Sequence, residues 1–271
     1  MTIAIKPTSL PASDDRDPGG LARLDFALRG GATRLVRSET RPPLGVMRTL
    51  YLDDALPNMA FTFLINPTAG ILEGDQQQIE ITVRAGAQAH VTTQAATKLF
   101  TMPAGTARQT VRLKVEEGGA LEYLPDETIP FRGACFEAHT EIEVHTEAVA
   151  VVGDVLAAGR SAMGENFAYR NLRYRVTAAR PDGIPLFHDA FELAPDRSSP
   201  AHRGVLSEHA AVGTLLLIGG AAQAEAMLEP VRAALDRLPA RSGVSRLPAR
   251  SGLVVKLLGR DTGEVRGALF A

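Results

Sequence analysis

Three segments of this chain follow one plan: an alternating strand, a short turn and a second strand. They are I-T-V-R-A-G-A-Q-A-H-V (residues 81–91), L-K-V-E-E-G-G-A-L-E-Y-L (113–124) and I-E-V-H-T-E-A-V-A-V-V (142–152). Their turn alanines, Ala87, Ala120 and Ala148, are 33 and 28 residues apart, a spacing at which stacked repeats build a solenoid or layered β structure. Each unit reads as a β-hairpin whose period-two residues face a core. Hairpins of a conventional β-sandwich look alike for the same reason, so the repeat alone leaves both architectures open.

The same alternation recurs at residues 61–65, 78–83, 87–93, 110–115, 120–124, 140–144, 172–177 and 253–258, rich in Val, Ile, Thr and Tyr. Helix is scarce before residue 220. One helix is expected over 221–238, where Met227, Leu228, Val231 and Leu235 fall near helical spacing, with Pro230 either kinking it or starting a second helix. Beyond it R-L-P-A-R-S-G occurs twice, at 237–243 and 246–252, and reads as a duplicated loop. Residues 1–20 read as a loose tail, and 21–271 as a single β-rich domain large enough for a substantial core.

The formal net charge is -2, with both signs mixed along the chain, which favours neither nucleic acid nor a membrane surface as partner. A single cysteine, Cys135, allows no intrachain disulfide and fits a reducing cytoplasm. No run approaches the length of a membrane span. The chain lacks a phosphate-binding G-x-x-x-x-G-K-[ST] loop, a G-x-S-x-G nucleophile elbow and an H-E-x-x-H metal pair.

What remains for chemistry is a scatter of acids. Asp126 and Glu127 lie between Pro125 and Pro130 in L-E-Y-L-P-D-E-T-I-P-F (121–131), a stiff connection that cannot become helix. His139, Glu141, Glu143 and His145 share a strand face, as ligands or as an ordinary solvated surface. Asp154 interrupts the apolar run A-V-A-V-V-G-D-V-L-A-A-G, where an ionised group needs partners or water. Asp75, Glu165 and Asp189 also sit in glycine-rich or apolar surroundings; each could tie down a turn, and as a set they could line a polar passage.

Several motifs in order carry a family resemblance. N-P-T-A-G-I-L-E-G-D (66–75), T-T-Q-A-A-T-K-L-F (92–100), residues 121–131, G-R-S-A-M-G-E-N-F (159–167), A-A-V-G-T-L-L-L-I-G (210–219) and S-R-L-P-A-R-S-G-L-V-V-K-L-L-G (245–259) resemble the UreD (UreH) family of urease accessory proteins. The resemblance covers most of the chain after residue 20. It implies a mainly β fold, a layered, solenoid-like arrangement of β-hairpins with one or two C-terminal helices. It also implies a non-enzymatic scaffold that helps place nickel in apo-urease, working with a UreF-like protein and a UreG-like GTPase. No tightly bound cofactor is implied, only nickel in transit, and the positions matching a proposed internal route are Asp75, Thr97, Asp154 and Asp189. Scattered oxygen ligands suit transit, because a closed four-ligand site would trap the ion.

The chain departs from the family at two glycine pairs, spelled Ala69-Gly70 and Glu73-Gly74 here, and a position that needs positive φ would resist such a change. Two other classes stay open. A carbohydrate-active β-solenoid enzyme could use Asp126 and Glu127, although neighbours on a strand point to opposite faces. A purely structural interaction module would have no metal route.

Overall fold

The computed structural model describes residues 19–238 and 240–269. In chain order the strands are β1 (Gly20–Arg29), β2 (Ala32–Arg41), β3 (Gly45–Val46), β4 (Ala60–Ile65), β5 (Gln76–Val83), β6 (Gln88–Thr93), β7 (Thr97–Leu99), β8 (Ala107–Val115), β9 (Ala120–Tyr123) and β10 (Thr128–Pro130). They continue as β11 (Cys135–Val144), β12 (Val149–Ala157), β13 (Gly159–Arg160), β14 (Glu165–Asn166), β15 (Asn171–Ala179), β16 (Pro185–Leu193), β17 (Ala211–Ile218), β18 (Arg241–Arg246) and β19 (Gly252–Gly259). Helices α1 (Ala221–Leu235) and α2 (Thr262–Leu269) lie near the C-terminus. Of the tail expected over 1–20, only Gly19 and Gly20 fall among the described residues, and Gly20 opens β1.

The turns of the three repeats are tight. Ala87, Gly119 and Ala148 each donate an amide hydrogen bond of 2.9 to 3.0 Å to the carbonyl three residues earlier, on Arg84, Glu116 and His145. Gly86 and Gly118 take positive φ at the third position of the first two turns, which glycine adopts without a Cβ clash. The strands that these turns join do not pair with each other. One passes into a seven-stranded sheet, ordered β16-β15-β11-β8-β5-β1-β2, and the next into a ten-stranded sheet whose main path is β18-β19-β17-β12-β9-β6-β4-β3.

The hairpin reading of each unit is therefore corrected to an arch, while the layered, solenoid-like class and its two C-terminal helices are as expected. The physical reason is that both strands of a unit carry an apolar inner face. Pairing them edge to edge would leave those faces open, so they pack face to face and take their backbone partners from neighbouring coils. In the seven-stranded sheet β5, β8 and β11 run parallel, stacking Ile81, Leu113 and Ile142 in one row and Val83, Val115 and Val144 in another. In the opposite sheet β6, β9 and β12 run parallel and align Ala89, Leu121 and Ala150. These residues are fully or almost fully buried and form the main core at the turn end.

A second apolar cluster, including Ile71, Leu99, Met102, Phe136, Leu156, Leu172 and Leu193, closes the other end. On the outer face of the ten-stranded sheet a third cluster, with Val155, Val255, Leu257, Leu235 and Val265, joins the sheet to both helices. Helix α1 continues through Pro230 as one element, burying Leu228 and Leu235, so no second helix starts there. The two R-L-P-A-R-S-G copies differ in structure: the first runs into β18 at Arg241, whereas the second passes through a short 3-10 turn, Pro248–Arg250, into β19. Only part of each copy is loop, because the edge strand β18 recruits the first.

Candidate functional site

Between the two interior clusters the facing surfaces turn polar. Gln109 and Thr140 occupy inward positions of β8 and β11, and on the opposite sheet Asp154, Thr214 and Lys256 stand in register across β12, β17 and β19. They line a cavity of about 90 Å³, roomy and polar enough for a few waters. Thr97, Tyr123, Asp126, Tyr174 and Asp189 also line it. The structure thus brings three of the four sequence-derived route positions, Thr97, Asp154 and Asp189, to one space.

Asp154 is the inward residue of a strand that is apolar on both sides, so its carboxylate faces the cavity rather than bulk water. Burial raises its pKa to about 6, and the Lys256 ammonium opposes that rise. The Tyr123 and Tyr174 hydroxyls are pushed up first by burial and then by the Asp154 charge. Lys256 bridges Asp189 and the Thr214 hydroxyl, the latter at 3.0 Å. The side chains of Asp189 and Lys256 are 33% and 46% exposed, so the cavity meets the surface beside this pair.

At the other end lie Thr97, Asp126 and Glu127. The Thr97 amide donates to the Glu127 carbonyl at 2.9 Å, and the Asp126 amide donates to the Thr93 hydroxyl at 2.9 Å. Residues 124–127 are not strand, and the alternation argued for adjacent acids fails there. Both carboxylates instead turn to one guanidinium, with Arg266 of α2 2.6 Å from Asp126 and 3.1 Å from Glu127. Burial raises the Asp126 pKa, Arg266 lowers it and the Glu127 charge raises it again.

Asp75 lies apart. Its carboxylate accepts the Leu72 amide at 2.8 Å, closing a turn beside a groove lined by Gly19, Gly20 and Pro43. Glu165 accepts two hydrogen bonds from Arg160, at 2.8 and 2.7 Å, and a third from the Arg132 amide at 3.2 Å. That guanidinium also stacks 4.0 Å from the Phe131 ring centroid, fastening the 159–167 motif to the 121–131 motif. His139, Glu141 and Glu143 face outward, and Glu141 and Glu143 pair with Arg112 and Lys114 of β8 at 2.9 Å each. His145 falls past the end of β11, in the turn. The strand face is thus a cross-strand charge ladder, continued by Arg112 to Glu80 and by Arg23 to Glu80 and Glu39. Among the described residues no three His, Cys, Asp or Glu side chains are gathered as a metal-ligand group.

Thr214, Lys256 and Arg266 were not among the sequence candidates. For two of them the signal was present: Lys256 interrupts L-V-V-K-L-L, and Thr214 interrupts V-G-T-L-L-L-I, as Asp154 interrupts V-V-G-D-V-L. Arg266 sits in a short helix with no such signal.

Comparisons with known proteins agree with the motif resemblance. A family model described as UreD urease accessory protein matches residues 19–271. The chain is similar to the Urease accessory protein UreD 2 of Streptomyces griseus, 38% identical over 218 residues that make up 80% of this chain and 74% of that protein. It is also similar to the Urease accessory protein UreD of Photorhabdus laumondii, 34% identical over 261 residues, covering 95% of this chain and 81% of that protein. The UreD 2 protein of Brucella suis is 34% identical over 259 residues, 91% of this chain and 83% of its own length. Among the described residues no helix is long and apolar enough to cross a membrane. Matched by the family model over residues 19–271, this chain belongs to the UreD family of urease accessory proteins.

Proposed function

We propose that the chain is a non-catalytic scaffold for urease maturation in the cytoplasm. It would join apo-urease, a UreF-like protein and a UreG-like GTPase, and let nickel pass through its interior on the way to the urease active site. The observation that carries this reading is the polar file Asp154, Thr214, Lys256 and Asp189, which leads from the cavity to the surface between two apolar clusters. Oxygen donors spaced singly along a wet interior hold a divalent ion briefly at each step, and brief holding is what transit needs. Lys256 fits the idle state. Its ammonium occupies Asp189 until an ion of higher charge competes for the same carboxylate. Thr97 would offer a neutral oxygen at the far end of the space, whereas Asp75 keeps its turn.

The test is complementation with co-purification. In a strain lacking its own copy, the tagged chain should restore urease activity and bring down the urease apoprotein with the UreF-like and UreG-like proteins. A folded chain that neither restores activity nor joins that complex would overturn the reading.

A further inference from the structure

The ten-stranded sheet has a break beside Asp154. The ladder between β12 and the preceding coil pairs Val152 with Tyr123, then resumes only where Leu156 pairs with Thr128. Gly153, Asp154 and Val155 thus face residues 124–127 without strand pairing. Side chains fill the break: Leu124 lies so close over Gly153 that a Cβ there would meet it at 2.8 Å. Pro125 and Asp126 line the cavity just behind. Across the outer side stands Arg266, bonded to both Asp126 and Glu127.

Helix α2 is seated by the neighbouring residue. Val265 is fully buried in a notch made by Gly213 and Gly259, where added Cβ atoms would come within 2.5 and 2.7 Å of it. The Arg266 side chain is 40% exposed, so it can leave its carboxylates while Val265 keeps the helix in place. Inside, Tyr174 is 8% exposed and lines the cavity, with its hydroxyl beside the Thr128 side chain. A hydrated ion or water in the cavity would give that hydroxyl a further partner.

We propose that Arg266 is a removable latch on this break: a divalent cation arriving at Asp126 and Glu127 displaces the guanidinium and opens the cavity through the sheet beside Asp154. The inference rests on reading the cavity as a cation route and names how one end of it is controlled. The charges favour such an exchange. One guanidinium leaves the two carboxylates with a net negative charge, whereas a divalent ion neutralises both and uses oxygens that Arg266 already holds together.

The test uses the full chain and nickel(II) chloride as the only added metal. In equilibrium dialysis, Arg266→Gln should bind nickel about tenfold more tightly than the wild type, and adding Glu127→Gln should remove that gain. In amide hydrogen exchange, residues 94–97 and 124–127 should exchange faster in Arg266→Gln, while β5 and β8 keep wild-type protection. A folded Arg266→Gln chain with wild-type nickel affinity, or with wild-type exchange in those loops, would overturn the latch. Should that variant fail to fold, Arg266→Lys, which keeps the charge but not the fork that spans both acids, should raise nickel affinity by a smaller factor; an affinity equal to wild type would overturn the proposal. Both readouts concern the isolated chain, so failure of the urease-maturation reading leaves them unchanged.

Discussion

The amide of Ala120 donates a hydrogen bond of 2.9 Å to the carbonyl of Ala87, joining the corner of one coil to the corner of the next. The corners are close-packed, and neither Ala87 nor Ala148 has exposed surface. Ala87→Leu should therefore overpack the corner and cost about 1–3 kcal/mol. Urea unfolding checks this, with a lowered midpoint expected and an unchanged midpoint contradicting the close-packed corner.

Ala69 and Gly70 give opposite expectations although they are adjacent. Ala69 sits at φ +62, where an L side chain is strained, so Ala69→Gly should stabilise the chain by about 1 kcal/mol. At Gly70 a Cβ would lie 2.4 Å from the Lys98 carbonyl oxygen and 2.7 Å from the Phe100 ring, so Gly70→Ala should cost about 2 kcal/mol or more. Thermal unfolding of the two variants should move in opposite directions. Glu73, the other departure from the family spelling, is not at positive φ, and its carboxylate accepts the Ala104 amide at 3.1 Å.

Asp154 makes stability depend on pH. Burial lifts its pKa from 3.8 to about 6 in the folded chain, so between these values the folded state binds more protons than the unfolded state. Stability contributed by this group is present below about pH 4, falls as pH rises through the window, and is lost above about pH 6. Asp154→Asn removes the titration and should gain up to about 3 kcal/mol relative to wild type between pH 4 and pH 7. Urea midpoints for both proteins at the two pH values measure the gain. An equal difference at both would contradict the assigned burial.

Much of this was legible in the chain because repeats and interrupted apolar runs are local signals. Every strand read from alternation is found, including residues 78–83 in β5 and 253–258 in β19. The arch was not legible, since strand, turn and strand spell a hairpin and an arch alike, and only the apolar inner faces of both partners decide between them. Asp154 could be singled out because its neighbours are apolar, and Lys256 by the same rule. The pairing of Arg266 with Asp126 spans 140 sequence positions and two different elements. No spacing rule reaches that far. Asp75 looked equivalent to Asp154 in sequence, yet a carboxylate after a glycine turn finds its own backbone amide first, here that of Leu72.

The central claim is that nickel bound for urease passes the carboxylates of this cavity. The most direct measurement is the nickel content of urease matured with the Asp154→Ala, Asp189→Ala chain, taken alongside the amount of accessory complex assembled. The account predicts that the complex forms as in wild type while nickel per urease active site falls several-fold. Wild-type nickel content with a normally assembled complex would contradict it.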